Sequence, residues 1–237
     1  MLVLENINKS YGNKVILEDI NLIIPKGKMV CLLGKNGVGK STLIKIITGI
    51  SLQDKGISKI SGYSITDNPI DYKLKFGYVS DNYNNFLNLT GLEYLNFICD
   101  IYDIEENRAK SYINKLSEYL DIKDDLNQRI CKYSKGMKQK IMIIGAIIHM
   151  PELLILDEPF NGLDPESVYK VKKILKKFVK EENKTVLFST HILEVAENLS
   201  DIVLILNNKK IISNLDMTKL LKDETFHLEK LFLELTK

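Results

Sequence analysis

The chain has 237 residues, long enough for one large domain or for a core carrying an inserted lobe. Its composition is that of an ordinary soluble protein, 45% hydrophobic and 27% charged, and 33 basic against 31 acidic residues leave a net charge of +2. So balanced a charge excludes a dominant electrostatic attraction to nucleic acid or to a membrane surface.

Taken in chain order, Leu2 to Asn8 and Ile20 to Ile24 read as strands, the second closed by the turn Pro25-Lys26-Gly27. No signal peptide is expected, because Met1 leads straight into a strand-like stretch containing Glu5 and Lys9. Met29 to Leu33 is a short apolar run suited to a strand buried on both faces, with Cys31 as a small buried hydrophobe. Gly34-Lys35-Asn36-Gly37-Val38-Gly39-Lys40-Ser41 then satisfies the phosphate-loop pattern G-x-x-x-x-G-K-[ST] at every fixed position. From Thr42 the chain continues as a helix that stops at Gly49. A glycine-rich turn between strand and helix aims backbone N–H groups and the positive end of the helix dipole at one point, which fits a polyphosphate. In that arrangement Lys40 reaches the β- and γ-phosphates and the Ser41 hydroxyl sits on Mg²⁺.

Gly56 to Ile65, with Gly62, suggests a hairpin, and Phe76 to Val79 another short strand. From Thr90 to Ala146 the apolar residues recur at helical spacing, with Leu92, Leu95, Phe97 and Ile98 as one face and Tyr112, Leu116, Tyr119 and Leu120 as another. Ser134, before the next helix, is a residue type that caps N-termini. The apolar run Ile141 to Ile148 is far too short to cross a bilayer, so the chain itself is not expected to span one.

Leu153 to Leu156 is a buried strand that ends in Asp157-Glu158-Pro159. At the end of a core strand, Asp157 can hold the hydration shell of Mg²⁺ while Glu158 polarises the attacking water. Val168 to Val179 reads as a helix, with Lys172, Lys173, Lys176 and Lys177 on its solvated face. Thr185 to Ser189 is a strand followed by His191, placed on the same edge as the loop and the acids and within reach of a γ-phosphate. His149 and His227 carry no such placement and read as structural. Asp201 to Leu206 and Lys209 to Ser213 form a hairpin about Asn207-Asn208. Cys31, Cys99 and Cys131 are odd in number and widely spaced, as in a reducing cytosol, without the pattern of a disulfide framework or zinc site.

The order of these motifs resembles the nucleotide-binding subunit of an ABC transporter over essentially the whole chain. The resemblance implies an α/β fold: a P-loop NTPase core with a mixed sheet, an inserted α-helical subdomain and an antiparallel β subdomain. The expected division is a single ABC domain over 1–237, with 1–80 and 147–215 as core and β subdomain, 81–146 as helical subdomain and 216–237 as helical tail. It implies ATP and Mg²⁺ as ligands and carries over Lys40 and Ser41 as the phosphate-loop pair and Asp157 and Glu158 as the acidic pair. Tyr11, 23 residues before Gly34, is similar to the aromatic that stacks on adenine. Asn161 to Asp164 matches the D-loop and His191 the switch histidine.

Two departures stand out. Tyr133-Ser134-Lys135-Gly136-Met137 occupies the place of the Leu-Ser-Gly-Gly-Gln signature, which in the family faces the γ-phosphate held by a second subunit. Asp81, beside Ser80 and Asn82, stands where the family has a glutamine that touches Mg²⁺. Such a variant resembles the ATPases of antibiotic-resistance and bacteriocin-immunity exporters, and the tail Leu228 to Thr236 is similar to theirs. The implied partners are a second ATPase subunit, a copy or a related chain, and a separate transmembrane permease. The implied location is cytoplasmic, peripheral on the inner face of the membrane. A soluble ABC ATPase such as an iron–sulfur-assembly type is the alternative.

Overall fold

A computed structural model describes residues 1–81, 86–223 and 225–236; Asn82 lies outside them. The chain folds as two sheets with helices about them. Strands β1 (Leu2–Tyr11), β2 (Lys14–Ile24), β4 (Lys55–Ile60) and β5 (Tyr63–Ser64) form an antiparallel sheet in the order β2-β1-β4-β5. The other sheet has the order β10-β9-β3-β8-β7-β6, from β3 (Met29–Leu33), β6 (Phe76–Val79), β7 (Leu153–Leu156), β8 (Thr185–Thr190), β9 (Ile202–Asn207) and β10 (Lys210–Asp216). All of its neighbours run parallel except β10, which pairs antiparallel with β9 at the edge.

The continuous apolar sequence of β3 has the cause that was expected. Met29, Cys31 and Leu33 face one core and Val30 and Leu32 the other, so every position of the strand is buried. The second core lies under the antiparallel sheet and includes α1 (Lys40–Ile47) and Tyr72 of α2 (Pro69–Leu74), a helix that the sequence reading did not foresee. The first core runs through α3 (Gly91–Ile101), α4 (Glu106–Tyr119), α5 (Lys135–Ile147) and α6 (Pro165–Lys180). It reaches α7 (Leu193–Leu199), α8 (Met217–Leu220) and α9 (Leu228–Leu235), where Leu228 and Phe232 dock the tail.

Three local expectations change. Helix α3 buries Tyr94, Leu95 and Cys99, while Phe97 is 45% exposed, because the buried stripe runs i, i+4 from Leu95 and leaves position 97 to the side. The β9–β10 turn is Asn208-Lys209, since Asn207 pairs with Lys210. Both turn residues have positive φ, 45° and 70°, as a two-residue hairpin of this hand requires. Strand β2 begins at Lys14, earlier than its apolar pattern suggests, because its ladder with β1 continues to the pair Tyr11–Lys14.

Candidate functional site

Parallel strands point their C-terminal ends the same way, so the segments after β3, β6, β7 and β8 meet along one edge of the sheet. A cleft of about 400 Å³ opens there. Its lining includes Tyr11, Asn36, Gly37, Gly39, Lys40, Ser41, Thr42, Asp81, Glu158, Asn161 and His191, all singled out from the sequence, together with Ile16. Gly34, Lys35 and Val38 complete the loop without lining the cleft. The Val38 N–H donates to the Lys35 carbonyl at 3.4 Å and closes the turn.

Helix α1 starts at Lys40, with Gly39 as N-cap in a left-handed conformation at φ 115° and no side chain capping it. The N–H groups of a helix's first turn have no acceptor within the helix, so here they are presented to the cleft. Lys40 is 6% exposed. Its ammonium donates to the Gly34 carbonyl at 2.7 Å and the Lys35 carbonyl at 3.3 Å, and lies 3.5 Å from Glu158 Oε1.

Asp157 is 1% exposed, and Glu158 beside it has φ 49°, an uncommon conformation for a side-chain-bearing residue. That backbone turns the two carboxylates different ways. Asp157 goes inward, accepting from Ser189 Oγ at 2.6 Å, with the Ser41 hydroxyl near enough to act on its pKa. Burial pushes its carboxyl above the usual aspartate range; the Ser189 and Ser41 hydrogen bonds oppose this, and the charges of Asp81 and Glu158 add to it. Glu158 goes outward to His191, whose Nδ1 lies 3.1 Å from Oε1 and 3.2 Å from Oε2. Ser189 also accepts from the Glu158 N–H at 2.9 Å, so one hydroxyl ties both acids to the end of β8. The sequence reading gave Ser189 no role. Only the pairing of β7 with β8 brings it in, setting Leu156 beside Phe188 and so Asp157 beside Ser189.

Tyr11, the last residue of β1, is half exposed at the rim, with the Lys9 ammonium 5.3 Å from its ring centroid and its hydroxyl 3.4 Å from Ser51 Oγ. Asp81 is exposed and accepts from Ser80 Oγ at 3.3 Å. The oxygen-only set of Ser41, Asp157 and Asp81 suits a hard cation such as Mg²⁺, and a cation would favour the ionised form that burial opposes in Asp157. Among the described residues no cluster of three or more His, Cys, Asp or Glu makes a self-sufficient metal cage.

Ser134 caps α5, its Oγ accepting from the Met137 N–H at 3.2 Å. Ser134, Lys135, Gly136 and Met137 are absent from the lining of the cleft. Met137 packs against the first core, and Lys135 is exposed.

The family model described as "ABC transporter" matches residues 17–161. The chain belongs to the ABC transporter family. It is one of that family's ATP-binding chains, an ATPase. It is 35% identical to the lantibiotic transport ATP-binding protein of Streptococcus pyogenes, over 98% of this chain and 96% of that one. A solved ATP-binding subunit of an ABC transporter superposes with a TM-score of 0.93 at 32% identity, covering all of both chains. A bacterial ABC transporter cassette solved as a dimer gives 0.82 at 25% identity, over 92% of this chain and 99% of that one. Among the described residues no helix is long and apolar enough to cross a membrane.

Proposed function

We propose that this ABC ATPase powers an exporter of the antibiotic-resistance or bacteriocin-immunity kind, in which two cassettes close around ATP beneath a separate membrane permease. The observation that carries the two-cassette arrangement is the position of the signature segment. A capped, exposed helix N-terminus is an anion site, yet Ser134 to Met137 do not line the chain's own cleft. A second cassette, a copy or a related chain, supplies the phosphate that it faces. The similarity to a cassette solved as a dimer and to a lantibiotic transport protein supports the same reading. The soluble iron–sulfur-assembly alternative has no comparable support.

Within the cleft the geometry supports the following roles. Tyr11 offers a half-exposed π-face at the rim for adenine. The N–H groups of the phosphate loop and of α1 bind the phosphate oxygens, and the Lys40 ammonium neutralises charge between the β- and γ-phosphates. Ser41 and Asp157, with Asp81 at the side, would hold Mg²⁺, which when bound neutralises phosphate charge. Glu158 polarises the attacking water and His191, hydrogen-bonded to it, orients that carboxylate and reaches the γ-phosphate. The permease would then hold the chain, none of whose described helices is long and apolar enough to span a membrane, at the inner face of the membrane.

Lys40→Ala tests the site. Its ammonium contacts loop carbonyls and Glu158, none of which is a core contact, so the fold survives and hydrolysis falls to background. A variant with native circular dichroism and near wild-type turnover would remove the phosphate-loop assignment.

A further inference from the structure

Lys135 replaces the first glycine of the family's signature, and its side chain does not simply extend into water. It runs back across Gly162. A Cβ built on Gly162 would lie 2.9 Å from Lys135 Cγ, 2.7 Å from Cδ and 3.2 Å from Cε. Three successive carbons of the stem therefore cover one Cα. The next residue, Gly136, approaches the same place, since a Cβ there would lie 2.9 Å from the Gly162 carbonyl oxygen. Two adjacent residues at the start of α5 thus pack closely on a single glycine.

That glycine is the pliable point of a short segment with chemistry at its start. Gly162 has φ 85°, open to glycine and strained for other residues. The Asn161 N–H donates to the Glu158 carbonyl at 3.2 Å and the Leu163 N–H to the Phe160 carbonyl at 3.4 Å, so consecutive turns link Glu158 to Gly162. Asn161 lines the cleft, and Asp164, just beyond, caps α6 by accepting from the Ser167 N–H at 2.9 Å. Both ends of the segment are anchored, and its middle is covered by the Lys135 stem.

We propose that Lys135 is a positioning residue that acts within its own chain: its aliphatic stem clamps the 158–164 segment at Gly162 and so sets Asn161 and Glu158 at the cleft. The inference rests on the proposed roles of Glu158 and the cleft, and deepens them. A lysine stem commonly covers apolar surface while its ammonium stays in water, so the methylenes carry the clamp and the charge does not. The opposing view, that the ammonium itself meets a phosphate on the second cassette, makes the opposite demand on chemistry: charge is essential and stem packing incidental.

Substitution separates the two. Steady-state ATP hydrolysis is measured for the wild type, Lys135→Ala, Lys135→Met and Lys135→Arg, with Glu158→Gln as the inactive reference. Amide hydrogen exchange is followed at residues 160–163 in the same proteins. Lys135→Ala is expected to lower kcat about tenfold with little change in the KM for ATP, as a small displacement of catalytic groups does, and to speed exchange at these amides. Lys135→Met keeps an unbranched stem without charge and restores both, kcat to within about twofold of wild type. Unchanged exchange in Lys135→Ala overturns the clamp, whatever the kinetics. So does rescue by Lys135→Arg but not by Lys135→Met, which assigns the effect to charge. A wild type no faster than Glu158→Gln would instead bring down the functional reading beneath it, and the exchange data would still report on the contact.

Discussion

At the residue scale the site depends on side chains that the motifs name and on one that they do not. Tyr11 contributes a face and no polar contact to the cleft, so Tyr11→Phe is expected to bind ATP as the wild type does. Tyr11→Ala should lose about 1–3 kcal/mol of binding, measured by titration calorimetry. Equal affinity in the alanine variant would leave the ring with no part in recognition. His149 is of another kind, as its sequence position suggests. It stacks on Tyr102 with centroids 3.7 Å apart, and its Nε2 lies 3.3 Å from the Phe76 carbonyl. Burial lowers its pKa from 6.5 to about 4, with backbone hydrogen bonding opposing. The unfolded chain then binds the extra proton between those two values. The stability associated with neutral His149 is therefore complete above pH 6.5 and is lost as pH falls through 4. His149→Phe, which keeps a ring on Tyr102, should lose less stability than the wild type between pH 7 and 5, read as a smaller drop in Tm. Parallel curves would contradict this. The phosphate loop, the acid pair and His191 were legible in the sequence because their chemistry demands particular residues at fixed spacing. Ser189 was not, because a serine at a strand end acquires its role only from the strand beside it.

At the scale of elements, strands with one apolar pattern were legible and their limits were not. β3 and β7 are buried throughout and stand out as apolar runs. β2 begins with Lys14 and Val15, exposed residues paired with Tyr11 and Ser10 of β1, a start that no local pattern announces. Phe97 misled the assignment of a face on α3 because it is apolar and exposed. The contact between β6 and α5 is tight for a stated reason. A Cβ on Gly77 would fall 2.0 Å from the Ala146 carbonyl oxygen and 3.2 Å from Pro151 Cγ, so strand and helix meet backbone to backbone. Gly77→Ala must push them apart and is expected to destabilise by about 1–3 kcal/mol or more. Denaturant unfolding would show it as a lower midpoint at unchanged slope. A variant as stable as the wild type would mean that β6 and α5 are free to separate. The contact bears on the site, because β6 leads to Asp81 and α5 begins at the signature segment.

At the scale of the whole molecule, one edge of a parallel sheet gathers the loop after β3, Asp81 after β6, the acids after β7 and His191 after β8. The fold class and the order of the motifs along the chain were legible, since strand, loop and helix recur with recognisable chemistry at each turn. The docking of the antiparallel sheet was less so. It depends on contacts distant in sequence, such as the Glu18 N–H donating to the Lys209 carbonyl at 2.9 Å. In the proposed arrangement two such cassettes share their nucleotides across an interface. Glu158→Gln keeps shape and removes the proposed base, so bound ATP is expected to persist, and a ligand that joins two chains stabilises the dimer by mass action. Size-exclusion chromatography with light scattering, at saturating ATP and Mg²⁺ and again without nucleotide, is the most direct measurement. A dimer is expected with ATP and a monomer without; a variant that binds ATP and stays monomeric at saturation, alone and with any related cassette supplied, would contradict the two-cassette arrangement.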